Sequence, residues 1–286
     1  MAGARKATTR KVTRRTAALP IYVLKLGGEL LEQPADLVLV ASAMARLAAR
    51  SRLIVVHGGG KEIDVALAQA GLAKVQVDGL RVTDAPTLAV VTSVLGGTLN
   101  TRLVTAARKA RVRAVGLTGA DAEVSDVKPA APFVSASGAT VSLGLVGTPA
   151  GRSVPRLLLT LVKAGFVPVV ACLGATRGGD VLNVNADTLA AHLAATSGAR
   201  ALVIAGGTPG VLDAAGQTIP HLSARGAQAL IRSGTANAGM IAKLQACRAA
   251  LKGGVTTIYI VNGRTGLTGL DPAKPLKTGT GTEVTA

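Results

Sequence analysis

The 286-residue sequence predicts an α/β protein, a three-layer αβα sandwich with a mainly parallel central sheet. Three observations carry that expectation. Apolar runs such as Arg52-Leu53-Ile54-Val55-Val56-His57 are unbroken rather than alternating, as in strands buried on both faces. Such runs alternate along the chain with stretches of helical periodicity. Several strands end in glycine turns, so the loops gather at strand carboxyl ends, where sheets of this kind bind ligands.

Composition narrows the function classes. Hydrophobic residues make up 49% of the chain but aromatics only 1%, so the core is built from Leu, Val, Ile and Ala. No apolar run reaches the ~20 residues of a membrane span, which predicts a soluble protein; a reducing cytoplasm fits the two cysteines. Cys172 and Cys247 lie inside apolar strand and helix patterns and read as small buried side chains rather than a disulfide or metal site. Net charge is +17, and six of the 32 basic residues fall within the first 18 positions without an acid. Residues 1–19 are therefore expected to form a basic, disordered arm. The remaining body keeps 26 basic residues against 15 acidic ones and would draw an anionic substrate. Four aromatics leave little for base stacking, which argues against a nucleic-acid protein.

In chain order, Ile21–Leu26 is a strand halted by Gly27-Gly28, with Lys25 able to reach over the turn. A helix over about 35–49 precedes the strand 52–57. Gly58-Gly59-Gly60 then leads into a helix from Lys61, presenting backbone N–H groups beside a helix N-terminus, a setting that favours an anion. Arg81, between helices predicted at 61–72 and 86–110, has a planar fork suited to a carboxylate or phosphate. Gly96-Gly97 and Asn100 interrupt the second helix, at a cost of ~1 kcal/mol per glycine, which points to close packing or ligand approach. A strand over 112–117 and a hairpin around Ser137-Gly138 follow, then a helix over 152–164. The fourth long strand, 166–172, carries Pro168 near its start, where a missing donor is tolerable. Asn185 is positioned to cap a helix starting near Thr188, which places Asp187 at the helix N-terminus, whose dipole favours a carboxylate. A fifth strand (201–205), a helix over 223–233, a helix over 239–251 and a sixth strand (257–261) complete the pattern.

The ordered set Lys25-Leu26-Gly27-Gly28, His57-Gly58-Gly59-Gly60, Gly79-Leu80-Arg81-Val82-Thr83-Asp84, Asn183-Val184-Asn185-Ala186-Asp187 and Gly239-Met240 with Lys243 resembles the amino acid kinase family, and within it the acetylglutamate kinases of arginine biosynthesis. The paired Gly-Leu-Arg-Val-Thr and Asn-Val-Asn-Ala-Asp motifs are the specific part. The resemblance implies ATP-dependent phosphorylation of the side-chain carboxylate of N-acetyl-L-glutamate, with Mg²⁺ carried by the nucleotide and no protein metal site. It implies that Lys25 and Lys243 neutralise the phosphoryl group and leaving phosphate while Asp187 holds both lysines. Gly59 and Gly60 would offer N–H groups to substrate, Arg81 would grip its α-carboxylate and Asn183 would bind the acetylated amino acid. Residues 20–180 would form the amino-acid lobe and 181–286 the nucleotide lobe. The nucleotide positions would be Gly27, Gly28, Gly207, Thr208, Pro209, Gly210, Val211, Leu212, Thr235, Ala236 and Asn237. A homodimer is the assembly expected. The sequence departs from the family where an acid usually precedes Gly-Val-Leu, since Gly206-Gly207 stands there, and Lys61 adds a positive charge after the triple glycine. A kinase for an aminoadipate side chain on an acidic carrier would suit the basic body, but such kinases do not usually carry Asn-Val-Asn-Ala-Asp. The altered loop would also suit a weakened sensor homologue, against which the intact Lys25, Asp187 and Lys243 argue.

Overall fold

The computed structural model describes residues 18–236, 238–274, 276–277 and 279–286, so most of the basic arm and Asn237 lie outside the described residues. The first half runs β1 (Ile21–Leu26), α1 (Pro34–Ala48), β2 (Arg52–His57), α2 (Gly60–Gln69), β3 (Gln76–Val77), β4 (Leu80–Arg81), α3 (Ala85–Thr92), α4 (Asn100–Lys109), β5 (Ala114–Thr118), β6 (Val127–Pro129), β7 (Phe133–Val134), β8 (Thr140–Val141) and β9 (Val146–Pro149). The second runs α5 (Arg156–Lys163), β10 (Val167–Ala171), β11 (Leu173–Ala175), β12 (Val181–Val184), α6 (Ala186–Thr196), β13 (Ala201–Gly206), β14 (His221–Ser223), α7 (Ala224–Arg232), α8 (Ala238–Lys252), β15 (Thr257–Asn262) and β16 (Gly281–Thr285).

The main sheet has eight strands in the order β14-β16-β15-β13-β1-β2-β10-β5. From β15 to β5 every pair is parallel, and β16 turns back antiparallel on β15. The sheet runs without a break across position 180, joining the two expected lobes through the β1–β13 pair. Hydrophobicity explains the centre: β10 and β13 are buried along their whole length. Side-chain alternation along β1 separates the layers. Lys25 turns to the face covered by α6, while Tyr22 lines a recess with Arg46 and Leu47 on the opposite side, at α1. Helices α1 and α4 pack together, as do α6 and α8, so a helical layer covers each face.

A second sheet, β11-β12-β9-β6, carries the strand that leads into α6. The hairpin expected around Ser137-Gly138 is β7–β8, with Gly138 in the left-handed region at φ 85°. Pro168 sits where tolerated, since β10 begins to pair with β2 only at Val169. Two expectations need correcting. The helix expected over 86–110 is α3 and α4 joined by a π-helical segment, Ser93–Leu99, that contains both glycines. The helix expected from Thr188 begins at Ala186, because the Asn185 side chain already accepts from the Thr188 N–H at 3.0 Å. Strands β14 and β16 were not expected at all; both are short and largely polar, and β16 exists by pairing with the edge of β15.

Candidate functional site

Strand β1 delivers Lys25 and the first turn of α6 delivers Asp187, whose Oδ1 lies 2.9 Å from Lys25 Nζ. Helix α8 brings Lys243, whose Nζ is 3.7 Å from Asp187 Oδ2. Lys25 and Asp187 are each only 6% exposed, so neither charge could be kept there alone. Burial pushes the Asp187 carboxyl up, yet Lys25 and then Lys243 outweigh it and hold it below the usual range. For Lys25 burial works downward, and the Asp187 charge, with a smaller contribution from Glu29, leaves it raised. The result is one carboxylate between two ammonium groups, a centre with net positive charge at neutral pH.

The glycine turns meet beside this centre. Gly27 N–H donates to Ala205 at 2.8 Å and Gly58 N–H to Leu26 at 3.2 Å, which fixes both turns to the ends of neighbouring strands. A Cβ on Gly28 would lie 2.7 Å from Gly59 Cα and 2.9 Å from Gly60 N, so only glycine lets the two loops touch. Gly59 is the N-cap of α2 and provides no side chain to close the helix end. The N–H groups of the first turn therefore stay available for an anion. Gly59 in turn rests on Leu95 and Leu99 of the π-helical segment, where a Cβ would collide with Leu99.

Arg81, at the end of the β3–β4 hairpin, reaches the Gly60 carbonyl at 3.3 Å and ion-pairs with Asp64. Lys74 holds the same carboxylate at 2.6 Å. Burial alone would raise the Asp64 pKa; the hydrogen bonds and charges of Lys74 and Arg81 leave it lowered. Arg81 Nη1 is buried and has no protein partner among the described residues, a guanidinium edge left for an acceptor from outside the chain. Asn183 donates to Thr83 Oγ1 at 3.2 Å. Thr83 and Asn183 also bracket Leu145, just before β9, because Leu145 N–H donates to Thr83 at 2.7 Å and Asn183 N–H donates to Leu145 at 3.0 Å. The two most specific sequence motifs are thus stitched together.

Besides Gly27 and Gly28, the expected nucleotide positions fall into two groups. Gly207 follows β13, and its N–H donates to Glu29 Oε1 at 2.7 Å. Its carbonyl accepts from Asn262 Nδ2 at 3.2 Å, while Val211 N–H donates to Thr282 Oγ1 at 2.8 Å. Gly210, at φ 155°, lets the loop close on Thr282, and Leu212 bridges to Thr218. Thr208 and Pro209 are exposed. Thr235 and Ala236 lie at the end of α7, and their described hydrogen bonds stay local, to Ser233 at 2.9 Å and Leu230 at 3.3 Å. Asn237 lies outside the described residues. Lys61 is not directed at the anion site; it pairs with Glu32 at 3.1 Å and its side chain is largely exposed.

Sequence reasoning gave no role to Glu29, Asp64 or His57, and read Asn100 only as a sign of close packing or ligand approach. His57 is fully buried, with Nδ1 3.1 Å from the Gly58 carbonyl and Nε2 3.1 Å from Asn100 Nδ2. An amide nitrogen only donates, so Nε2 accepts and Nδ1 carries the proton it gives to Gly58. The ring is neutral, and burial pushes its pKa down to about 4. Asn100 also donates to Val169 at 2.9 Å, tying this loop to β10. A polar Asn inside an apolar helical run was the one signal of this arrangement available beforehand.

Residues 20–262 match the model of the Amino acid kinase family. The chain is 43% identical over 252 residues to the acetylglutamate kinase of Sorangium cellulosum, covering 86% of this chain and 88% of that protein. It is 38% identical to the acetylglutamate kinase of Sodalis glossinidius over 226 residues, covering 78% and 84%. Among solved structures, N-acetylglutamate synthase from Neisseria gonorrhoeae complexed with coenzyme A and N-acetyl-glutamate superposes with a TM-score of 0.76 at 24% identity; the match covers 93% of this chain and 59% of the synthase chain. Carbamate kinase from Giardia lamblia bound to AMP-PNP superposes with a TM-score of 0.66 at 14% identity, covering 94% and 99%. At these identities the two structures speak for the fold alone, whereas the family match and the sequence relatives go further. The chain belongs to the amino acid kinase family.

Proposed function

We propose that this chain is a phosphotransferase that moves the γ-phosphoryl group of ATP to the side-chain carboxylate of N-acetyl-L-glutamate, a step of arginine biosynthesis. The observation that carries the reading is the Lys25–Asp187–Lys243 centre, and the relatives that share this chemistry by name support the substrate. Phosphoryl transfer asks little covalent chemistry of a protein and much positioning and charge neutralisation. The acceptor carboxylate attacks phosphorus, a P–O bond forms to it, and the bond to the bridging oxygen breaks as ADP leaves. No general base is required, because the nucleophile has no proton to lose. Asp187 acts as an organiser instead: two lysines keep it ionised and it in turn orders both of them. Lys25 and Lys243 supply the positive charge to the transferring group and the leaving phosphate.

Acceptor binding falls to residues 20–180 together with Asn183, just past that boundary, in this reading. Arg81, its Nη1 unpaired, receives the α-carboxylate; Asn183 binds the acetylated amino acid, and the Gly59 and Gly60 N–H groups meet the reacting carboxylate. Residues 181–286 hold ATP through Gly207, Thr208, Pro209, Gly210, Val211 and Leu212, with Thr235, Ala236 and Asn237 completing that side and Gly27 and Gly28 meeting the phosphates. Among the described residues no group of three or more His, Cys, Asp or Glu could hold a metal ion. In this reading Mg²⁺ arrives with the nucleotide, as an ion that binds through one or two carboxylates plus substrate phosphates. When bound with the nucleotide, Mg²⁺ would supply neutralisation of phosphate charge. A homodimer working in the cytoplasm completes the proposal: both cysteines are buried and free, as suits a reducing compartment, and no helix among the described residues is long and apolar enough to cross a membrane.

The test is an ADP-release assay with ATP and Mg²⁺ that compares N-acetylglutamate with glutamate, N-acetylaspartate and N-acetylaminoadipate, with hydroxylamine trapping of the acyl phosphate. Turnover specific to N-acetylglutamate with trapped product is expected. Silence with every acceptor from a folded protein would overturn the assignment.

A further inference from the structure

The carboxylate of Glu29 occupies a slot framed by glycines. It stands in the 3₁₀ turn Gly28–Leu30 just beyond β1, half-buried, with Oε1 accepting the Gly207 N–H at 2.7 Å. A Cβ on Gly27 would collide with its carboxyl atoms, and Cβ atoms on Gly206 and Gly207 would stand 3.1 and 3.6 Å from Oε1. No larger residue at Gly27 would leave the carboxylate its place. Its main chain is anchored as well, since Arg264 Nη2 donates to the Glu29 carbonyl at 3.1 Å while Arg264 itself grips Asp36. Lys25, at the end of the same strand, feels the Glu29 charge.

Two facts turn this placement into a function. Residues 207–212, the loop after β13, contain no acid, and Asp187 is engaged by two lysines. Among the described residues, Glu29 is therefore the carboxylate beside the Gly27 and Gly207 turns that remains open to a further cation. It also stands between the two turns proposed to meet the nucleotide phosphates, so this inference rests on that reading. A metal-free polyphosphate entering there brings like charge against a carboxylate in a half-buried slot, which is unfavourable. A Mg²⁺–nucleotide brings a cation whose ligand set takes one carboxylate beside phosphate oxygens and waters. We propose that Glu29 is a positioning residue that makes nucleotide binding depend on the divalent cation, rejecting bare nucleotide by repulsion and accepting the magnesium complex. The turn after β1 thereby supplies a charge that the nucleotide loop lacks.

Titration calorimetry of ADP against the full chain, with Mg²⁺ or with chelator, tests this in the wild type, Glu29→Gln and Glu29→Asp. Glutamine keeps the volume and an oxygen for the Gly207 N–H but loses the charge; aspartate keeps the charge. The ratio of affinities with and without Mg²⁺ should fall roughly tenfold in Glu29→Gln, with bare ADP binding more tightly than to wild type, and should stay near wild type in Glu29→Asp. Equal ratios in wild type and Glu29→Gln would overturn the proposal while leaving the nucleotide lobe standing. Failure of folded wild type to bind ADP under either condition would overturn both.

Discussion

Replacing His57 by glutamine should change how the protein responds to acid, and the size of the change follows from the burial of one ring. The His57 pKa is lowered from 6.5 to about 4 because its imidazole is fully enclosed, with only the Gly58 carbonyl opposing that effect. The unfolded chain therefore binds a proton at this residue more readily than the folded one. Its neutral-ring contribution is complete above about pH 6.5 and is lost as pH falls towards 4. At about 1.4 kcal/mol per pH unit the full loss is about 3 kcal/mol, a large share of the 5–15 kcal/mol typical of a folded domain. Glutamine does not titrate, so the comparison isolates this residue from the carboxylates. Urea unfolding of both proteins from about pH 7 down to about pH 5 should show the wild-type advantage narrowing by about 2 kcal/mol. Stability curves that stay parallel over that range would refute the reasoning, and with it the neutral Nδ1–H tautomer that orders Gly58.

Asp187→Asn should lower turnover by at least about a hundredfold and, by leaving Lys25 buried without a counter-charge, cost about 3–5 kcal/mol of stability in urea unfolding; normal turnover would remove the two-lysine centre from the mechanism. Arg81→Ala should raise the acceptor KM about tenfold or more, the value of a lost hydrogen bond to a charged group, with the ATP KM unchanged. A KM change confined to ATP in steady-state kinetics would mean that the two lobes are reversed.

The parallel strands were legible because each is a continuous apolar run ended by glycine, and β1 and β2 fall on the residues expected. Helix α6 was legible through Asn185, a residue whose side chain does at the N-terminus what the sequence said it would. The break at Gly96-Gly97 was visible, but not its form. The form is a π-helical segment whose Leu95 and Leu99 support Gly59, a contact nearly forty positions away in sequence. Strand β16 was hidden because little in Gly-Thr-Glu-Val-Thr marks a strand until β15 offers an edge.

At the site the division is similar. Lys25, Asp187, Lys243, Arg81 and Asn183 were named as site residues through the family resemblance that the ordered motifs carry. Partnerships were not readable: that Asp64 holds Arg81, that Glu32 takes up Lys61, or that Glu29 fills the slot beside Gly207. Local sequence determines secondary structure and which groups are present, since those depend on neighbours a few residues away. Which charges meet is decided by strand order and helix packing, because an ion pair is a matter of a few ångströms between residues that only the folded chain brings together.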